Sequence, residues 1–147
     1  MTDFSFTIPG EPQTKGRPRF YKGRILTPPK THEAELKVLA AFRDHYPAVN
    51  PLTGEIHMMI ICWMSTRQRK DYDNLAKLVC DALNGTAYWD DAQIVRCLTV
   101  KKLPSLTVPG TRSNQRKRHG GDPLTTMDGQ SYDPHTDVFI TDNPTHF

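Results

Sequence analysis

The sequence lacks any long apolar run. Its longest hydrophobic stretch, residues 56–64, covers only IHMMIICWM and includes a histidine. A membrane-spanning helix needs about 20 consecutive apolar residues, so none is predicted. The amino-terminal residues also lack a basic segment followed by an apolar one, which argues against a secretory signal. A cytoplasmic protein that does not associate with membranes is therefore expected.

Cysteine is scarce, and positive charge is missing from one end of the chain. The three cysteines, Cys62, Cys80 and Cys97, stand in apolar sequence, which predicts reduced core thiols rather than disulfides or a zinc site.

All 19 Lys and Arg lie in residues 1–118, beside 11 acidic residues, whereas residues 120–147 contain five Asp and no Lys or Arg. The basic body is typical of a protein that binds a polyanion.

The length and the hydrophobic pattern predict one small α/β domain. At 147 residues the chain is too short for two independently stable domains. Strands are predicted at 4–8, 55–64 and 94–100, with weaker patterns at 104–109 and 138–140. Helices are predicted at about 29–45 and from Asp73 to a carboxyl-terminal cap at Gly85. This order indicates a single small mixed β-sheet packed with two helices.

The rest of the chain is polar and rich in turn residues. Residues 12–30 contain six Lys and Arg interrupted by Gly, Pro and two aromatic residues, which predicts a long loop or a loose hairpin. Residues 110–123 have the composition of a mobile basic loop, and an acidic tail follows. We therefore expect the functional domain in residues 1–110 and assign no role to residues 111–147.

Aspartates concentrate at two places that follow basic or aromatic residues. Asp71 and Asp73 come directly after the basic run RQRK at 67–70, and Asp90 and Asp91 precede the strand at 94–100. In an extended chain, residues 71 and 73 point to the same face. Carboxylates that converge beside Lys and Arg suit Mg²⁺, which neutralises charge on a phosphate and activates water. Lys77, one helical turn beyond Asp73, is placed to hold a phosphate or the leaving oxygen.

Each of these residues also has a purely structural interpretation. Asp73 is in a position to be an ordinary helix N-cap, and Asp90 and Asp91 can be plain turn residues. Lys77 can belong to a solvated face of ion pairs with Asp73 and Asp81, which project on the same side of the predicted helix.

The aromatic pair at 88–89 has two interpretations as well. Tyr88 and Trp89 can be core or interface aromatics, or a stacking platform for a displaced base.

Taken together, these motifs resemble the RusA family of Holliday-junction resolvases. The resemblance rests on RQRK at 67–70, DYDNLAK at 71–77, DALN at 81–84 and YWDDAQIV at 88–95, and on IPGEP at 8–12 and KGRPR at 15–19 near the amino terminus. It covers residues 4–100. It implies a RusA-like fold and a crossover junction endodeoxyribonuclease acting in DNA recombination and repair.

The resemblance also implies roles for particular residues. Asp71, Asp73 and Asp91 would be catalytic metal ligands, Asp90 a supporting carboxylate at the metal, and Lys77 a catalytic or phosphate-contacting lysine. The cofactor would be Mg²⁺. The active species would be a homodimer whose two sites make paired, symmetric nicks across a four-way junction.

The basic residues near these motifs are the predicted DNA contacts, because Lys and Arg neutralise phosphates. They are Lys15, Arg17, Arg19, Arg67, Arg69 and Lys70. Two alternatives remain open at this point. One is a less selective nuclease acting on flaps or forks, and the other is a branched-DNA-binding protein without catalytic activity.

Overall fold

The protein folds around one mixed β-sheet. The computed structural model describes residues 3–17 and 19–146, without the side chains of Arg19 and Ser113. The elements in chain order are β1 (Asp3–Pro9), β2 (Arg19–Tyr21), β3 (Arg24–Leu26), α1 (Pro29–His45), β4 (Ile56–Trp63), α2 (Tyr72–Ala82), β5 (Ile94–Lys102), β6 (Thr107–Pro109), β7 (Gln115–Lys117) and β8 (His135–Thr141). Short 3₁₀ turns occupy Asp91–Gln93 and Thr111–Ser113.

The sheet has four strands in the order β1-β8-β4-β5. Strands β4 and β5 are parallel, whereas β8 is antiparallel to both β1 and β4. The pairs β2–β3 and β6–β7 form separate two-stranded hairpins. The prediction of an α/β fold with one small mixed sheet and two helices is therefore confirmed.

Both helices pack on one face of this sheet. Alternate residues of β1, Phe4, Phe6 and Ile8, are buried there, as the period-2 pattern predicts. The Phe42 ring of α1 meets the rings of Phe4 and Phe6 edge-on, with centroids 5.3 and 5.4 Å away. Helix α2 buries Leu75, Leu78, Val79 and Ala82 in the same core.

The opposite face of the sheet, called here the open face, also carries apolar side chains. Met59 and Ile61 of β4 and Phe139 of β8 are half-buried on it, and Leu98 of β5 is exposed. Strand β4 is therefore apolar on both faces, as the sequence indicates, but only one of them is packed against helices.

The predicted first helix matches α1, whereas the ends of the second helix differ. Helix α2 begins at Tyr72, and its N-cap is Asp71, whose side chain makes no capping hydrogen bond. Asp73 therefore lies in the first turn and does not cap the helix, because the N-cap with extended backbone is Asp71, two positions earlier. The helix ends at Ala82, and Gly85 occupies the following turn with a φ of 78°.

Strand β8 is more extensive than its sequence indicates. The weak pattern at 138–140 becomes a seven-residue strand that pairs with β1 on one side and β4 on the other. Val138 and Ile140 complete the core between those neighbours. Periodicity underestimates β8 because its buried face also carries Thr136, a polar residue.

The segment before β8 is folded in this structure. Strands β6 and β7 form a short hairpin, and two nitrogens of Arg116 donate hydrogen bonds of 2.8 Å to the Asp122 carboxylate. The hydrogen bonds from Arg116 hold the pKa of Asp122 well below its ordinary value.

Neither helix among the described residues is long and apolar enough to cross a membrane.

The cysteines differ in their environments. Cys62 is buried, and burial raises the pKa of its thiol to about 11. Cys80 is half-buried, and its Sγ lies 3.9 Å from Met58 Sδ. Hydrogen bonding by the neighbouring Cys80 thiol lowers the pKa of the Cys97 thiol to about 6. All three are free, as predicted, but Cys97 is exposed, so the expectation of three core thiols is wrong for it. The reason is that β5 is an edge strand.

The position of β8 makes a testable prediction about stability. Ile140 is 1% exposed at the centre of the sheet, so Ile140→Ala should lower the free energy of unfolding by about 2–5 kcal/mol. Leu106→Ala is the control, because Leu106 is 61% exposed and its change should stay within about 0.5 kcal/mol. Urea denaturation measures both. Equal stability of the two variants would contradict the central placement of β8.

Candidate active site

The first acidic pair stands at the amino-terminal end of α2. Asp71, the N-cap, has extended backbone, and Arg69 Nε lies 3.5 Å from its Oδ1. Asp73 Oδ1 accepts a hydrogen bond of 2.9 Å from the backbone N–H of Asn74. Negative charge is favourable at this end of a helix, where unpaired N–H groups face outward. Both carboxylates are exposed, so they are accessible to a cation or to solvent.

The same helix continues with a polar stripe. Lys77 is exposed and Asp81 is half-buried, each four residues beyond the previous charged residue of the stripe. Lys15 Nζ contacts Asp81 Oδ2 at 3.1 Å and Glu35 Oε1 of α1 at 2.6 Å. Burial opposes the charge on Lys15, but the hydrogen bonds to Glu35 and Asp81 outweigh it and raise the pKa of the lysine. The stripe therefore has a permanently charged partner at its carboxyl-terminal end.

The second acidic pair lies in the turn that leads into β5. Asp90 is the N-cap of the 3₁₀ turn, and its Oδ1 accepts a hydrogen bond of 2.9 Å from the N–H of Ala92. Gln93 Oε1 accepts hydrogen bonds from the N–H groups of Trp89 and Asp90 at 2.8 and 2.9 Å. This reciprocal capping fixes the backbone of the turn.

Gln93 also holds this turn to the rest of the fold. Its Nε2 donates to the carbonyl oxygens of Leu52 and Gly54, at 2.8 and 2.9 Å, in the segment before β4. Gln93 is thus a positioning residue for Asp90 and Asp91. Gln93 belongs to the motif YWDDAQIV, from which no role was predicted for it. A Gln three residues after an N-cap Asp is the capping-box signal that could have identified it.

The environment of Asp91 is electrostatically unfavourable for a carboxylate. A hydrogen bond with Asp90 raises the pKa of Asp91 above its ordinary value of 3.8, and partial burial and the negative charges of Asp90 and Asp81 act in the same direction. Lys77 acts against them. The pKa of Asp90 is lowered instead, chiefly by the hydrogen bond from Ala92. Adjacent carboxylates of this kind are stabilised by a shared proton or a cation.

The two acidic pairs lie near opposite ends of α2. Asp81, not Asp73, is the helical acid that acts on Asp91, and the separation of eight positions between Asp73 and Asp81 corresponds to about 12 Å of helix. Among residues 3–17 and 19–146, no three Asp, Glu, His or Cys side chains form a group that could hold a metal ion. One chain thus brings Asp90 and Asp91 near Lys77 and Asp81, but it does not assemble them with Asp71 and Asp73.

The donor chemistry of the acidic pairs suits a magnesium ion. Mg²⁺ prefers carboxylate oxygens and water, and it usually takes only one or two carboxylates from a protein. Asp90 and Asp91 offer adjacent carboxylates, and the pKa of Asp91 is raised. A bound cation would relieve the repulsion between these two groups. Asp71 and Asp73 offer a second exposed pair. The catalytic and metal-ligand roles of these residues stay predictions.

The predicted DNA-contacting residues differ in how far their charged groups are bonded to other parts of the fold. Arg17 and Arg69 are exposed, and the Arg69 side chain is 91% accessible. Lys70 Nζ donates to the carbonyl oxygen of Pro12 at 2.8 Å, and Arg67 Nε donates to that of Pro104 at 2.8 Å. Lys15 is committed to Glu35 and Asp81. The side chain of Arg19 lies outside the described residues. Arg17 and Arg69 are therefore the best candidates for phosphate contacts.

The two aromatic residues before Asp90 have different environments. Tyr88 is fully buried, and its hydroxyl donates a 2.5 Å hydrogen bond to the carbonyl oxygen of Cys80 in α2. It therefore belongs to the core and cannot serve as an interface residue or a stacking platform. Trp89 is exposed.

Comparison with known proteins agrees with these features. The family described as Endodeoxyribonuclease RusA matches residues 9–112. The chain is 30% identical over 102 residues to Crossover junction endodeoxyribonuclease RusA of Escherichia coli (strain K12), covering 69% of this chain and 84% of the relative. Proteins of that name from Shigella sonnei (strain Ss046) and Enterobacteria phage 82 are 34% and 33% identical over 110 residues, with the same coverage. The resemblance in the sequence motifs is thereby confirmed, and the chain belongs to the RusA family of endodeoxyribonucleases.

Proposed function

We propose that this protein resolves Holliday junctions as a Mg²⁺-dependent, homodimeric endodeoxyribonuclease that makes paired symmetric nicks during DNA recombination and repair. The observation that carries the proposal is the turn at Asp90 and Asp91, held by Gln93 beside Lys77 and Asp81 of α2, in a chain of the RusA family. We further place it in the cytoplasm of a bacterial or phage-infected cell.

The proposed chemistry is in-line attack of water on a phosphodiester of the junction. Asp71, Asp73 and Asp91 would hold the metal, supported by Asp90. A bound Mg²⁺ neutralises charge on the phosphate and lowers the pKa of the attacking water. Lys77 lies on α2 between Asp73 and Asp81, where it would bind a nonbridging phosphate oxygen or stabilise the leaving oxygen. The products are a 5′-phosphate and a 3′-hydroxyl, which a ligase can rejoin.

The homodimer follows from the substrate and from the geometry of one chain. A four-way junction needs two symmetric cuts, and two-fold pairing supplies two sites. The roughly 12 Å of helix between Asp73 and Asp81 also keeps the acidic pairs of one chain farther apart than a metal–ligand distance. We therefore propose that each metal site combines the Asp71–Asp73 pair of one chain with the Asp90–Asp91 pair of the other. The open face of the sheet is our candidate for the buried surface, because it presents Met59, Ile61, Phe139 and Leu98 to solvent.

The first prediction concerns the aspartates. Asp71→Asn, Asp73→Asn or Asp91→Asn should each abolish Mg²⁺-dependent cleavage of a synthetic four-way junction, because each change removes a charged metal ligand. Asp90→Asn should lose only about 10- to 100-fold, the usual effect of removing a group that supports a ligand. Gel-shift assays without Mg²⁺ should give near wild-type junction affinity for all four, since basic contacts remain. Near wild-type cleavage by the first three variants would refute the assignment.

The same assays separate the alternative functions. A flap or fork nuclease would cut those substrates as fast as the four-way junction. A binding protein without activity would retain the junction affinity and show no cleavage with Mg²⁺.

A second prediction concerns the exposed arginines. Arg17→Gln combined with Arg69→Gln should reduce the slope of log affinity against log salt concentration by about 0.9 for each phosphate that the variant no longer neutralises. Arg43→Gln is the matched control, because Arg43 is exposed in the last turn of α1 and distant in sequence from the proposed surface. Fluorescence anisotropy with a labelled junction gives the slopes. An unchanged slope in the double variant would exclude both arginines as phosphate ligands.

A third prediction concerns the shared site. Light scattering should give about twice 16.7 kDa. Mixing inactive Asp73→Asn with inactive Asp91→Asn protein should restore nicking of one strand of a cruciform plasmid, because a heterodimer then contains one intact site. Mixing Asp71→Asn with Asp73→Asn should restore nothing, because both changes fall in the same acidic pair. Verified heterodimers of the first kind that remain inactive would mean that each chain carries a complete site.

A further inference from the structure

The β2–β3 hairpin presents apolar side chains to solvent. Phe20 and Ile25 pair across the two strands and are 80% and 67% exposed. Tyr21 and Leu26 are exposed as well. The turn between the strands is Lys22-Gly23, whose φ values of 48° and 75° are those of a tight hairpin turn. An isolated two-stranded hairpin is at best marginally stable in water, so this arrangement suits a surface that a ligand covers.

The segment that leads into the hairpin is hydrogen-bonded next to the first acidic pair. The N–H of Lys15 donates a 3.0 Å hydrogen bond to the carbonyl oxygen of Asn74, the neighbour of Asp73. The N–H of Gly16 donates to Thr31 Oγ1 of α1 at 2.9 Å. A Cβ atom at Gly16 would lie 2.7 Å from that oxygen, so only glycine allows this approach. The chain therefore leads into the hairpin from a point beside Asn74, next to Asp73.

Charge complementarity identifies the chemical class of the ligand. Residues 12–32 contain six Lys and Arg and no acidic residue. Of these, Arg17, Lys22, Arg24 and Lys30 are exposed. Lys22 Nζ lies 5.5 Å from the centre of the Tyr21 ring, so positive charge and aromatic surface alternate over a few residues. This combination is typical of proteins that stack bases on aromatic side chains while Lys and Arg contact the backbone.

We propose that the β2–β3 hairpin binds unstacked bases at the branch point of junction DNA, with Phe20 stacking on a base and Arg17, Lys22 and Arg24 contacting the adjacent phosphates. The inference rests on the proposed function, because it names the part of the substrate that lies beside the acidic pair. A second copy of the hairpin is disfavoured as the ligand, since it would bring the same positive charges together. A base at a branch point costs less to unstack than one inside a duplex.

Binding without Mg²⁺ tests the hairpin separately from cleavage. Phe20→Ala should weaken binding to a four-way junction by about 5- to 150-fold, the range for loss of one stacked base, while duplex affinity stays unchanged. Phe20→Tyr keeps an aromatic ring and should bind like the wild type. Leu36→Ala is the matched control, because Leu36 is an exposed apolar residue on α1. Equal junction affinity of Phe20→Ala and wild type would overturn the proposal.

Photo-crosslinking identifies the stacked base directly. A junction with 5-iodouracil at the branch point should crosslink to Phe20, and the same base in the middle of an arm should not. Crosslinks only from arm positions, or conversion of the dimer to a monomer by Phe20→Ala, would overturn the proposal. Wild-type protein that crosslinks at the branch point but never cuts with Mg²⁺ would refute the proposed nuclease function and leave the base contact standing.

Discussion

The parallel pairing of β4 with β5 is the constraint on which the candidate site depends. Two parallel neighbours cannot be joined by a tight turn, so the chain must cross back along the sheet, and α2 makes that crossing. The helix therefore runs opposite to the strands. Its amino-terminal end, with Asp71 and Asp73, lies where β4 ends, and its carboxyl-terminal end approaches the turn at Asp90 and Asp91, where β5 begins. The separation of the two acidic pairs is a direct result.

The electrostatics of the site follow from that arrangement. Asp81, Asp90 and Asp91 concentrate negative charge at the carboxyl-terminal end of α2, and Lys77 and Lys15 oppose it there. The pKa of Asp91 is raised, first by its hydrogen bond with Asp90 and further by the negative charges of Asp90 and Asp81. Gln93 ties the turn to the carbonyl oxygens of Leu52 and Gly54, which fixes the backbone that carries the two carboxylates. The Mg²⁺ that we propose would relieve the repulsion between these carboxylates.

The described residues leave apolar surface outside the core. One such surface is the open face of the sheet around Met59 and Ile61, and another is the β2–β3 hairpin at Phe20. Their chemistry differs. The open face is a broad, half-buried sheet surface that suits a second protein chain, whereas the hairpin combines rings with Lys and Arg and suits nucleic acid. Lys15, which precedes the hairpin, is bonded to α2 in two ways. Its N–H donates to the carbonyl oxygen of Asn74, and its ammonium group neutralises Asp81.

Much of the architecture was determined by the sequence itself. Period-2 burial of Phe4, Phe6 and Ile8, and the helical spacing of Leu75, Leu78, Val79 and Ala82, identify β1 and α2 because local periodicity reflects one buried face. The family is likewise readable in short motifs such as DYDNLAK, because those residue types and spacings rarely occur together. The ends of α2 are less determined, since an Asp at 71 or at 73 satisfies the same capping pattern.

Only the tertiary structure decided which residues meet. Nothing local in β8 indicates that it lies between β1 and β4, because strand pairing joins residues more than 70 positions apart, such as Met59 and Phe139. The same holds for Lys15, whose charge pattern suggests a phosphate contact but whose ammonium is bonded to Glu35 and Asp81. Tyr88 is buried although Trp89 beside it is exposed. Residue types and spacing determine local conformation and candidate chemistry, whereas burial and ion pairing depend on chain segments that meet only in the folded state.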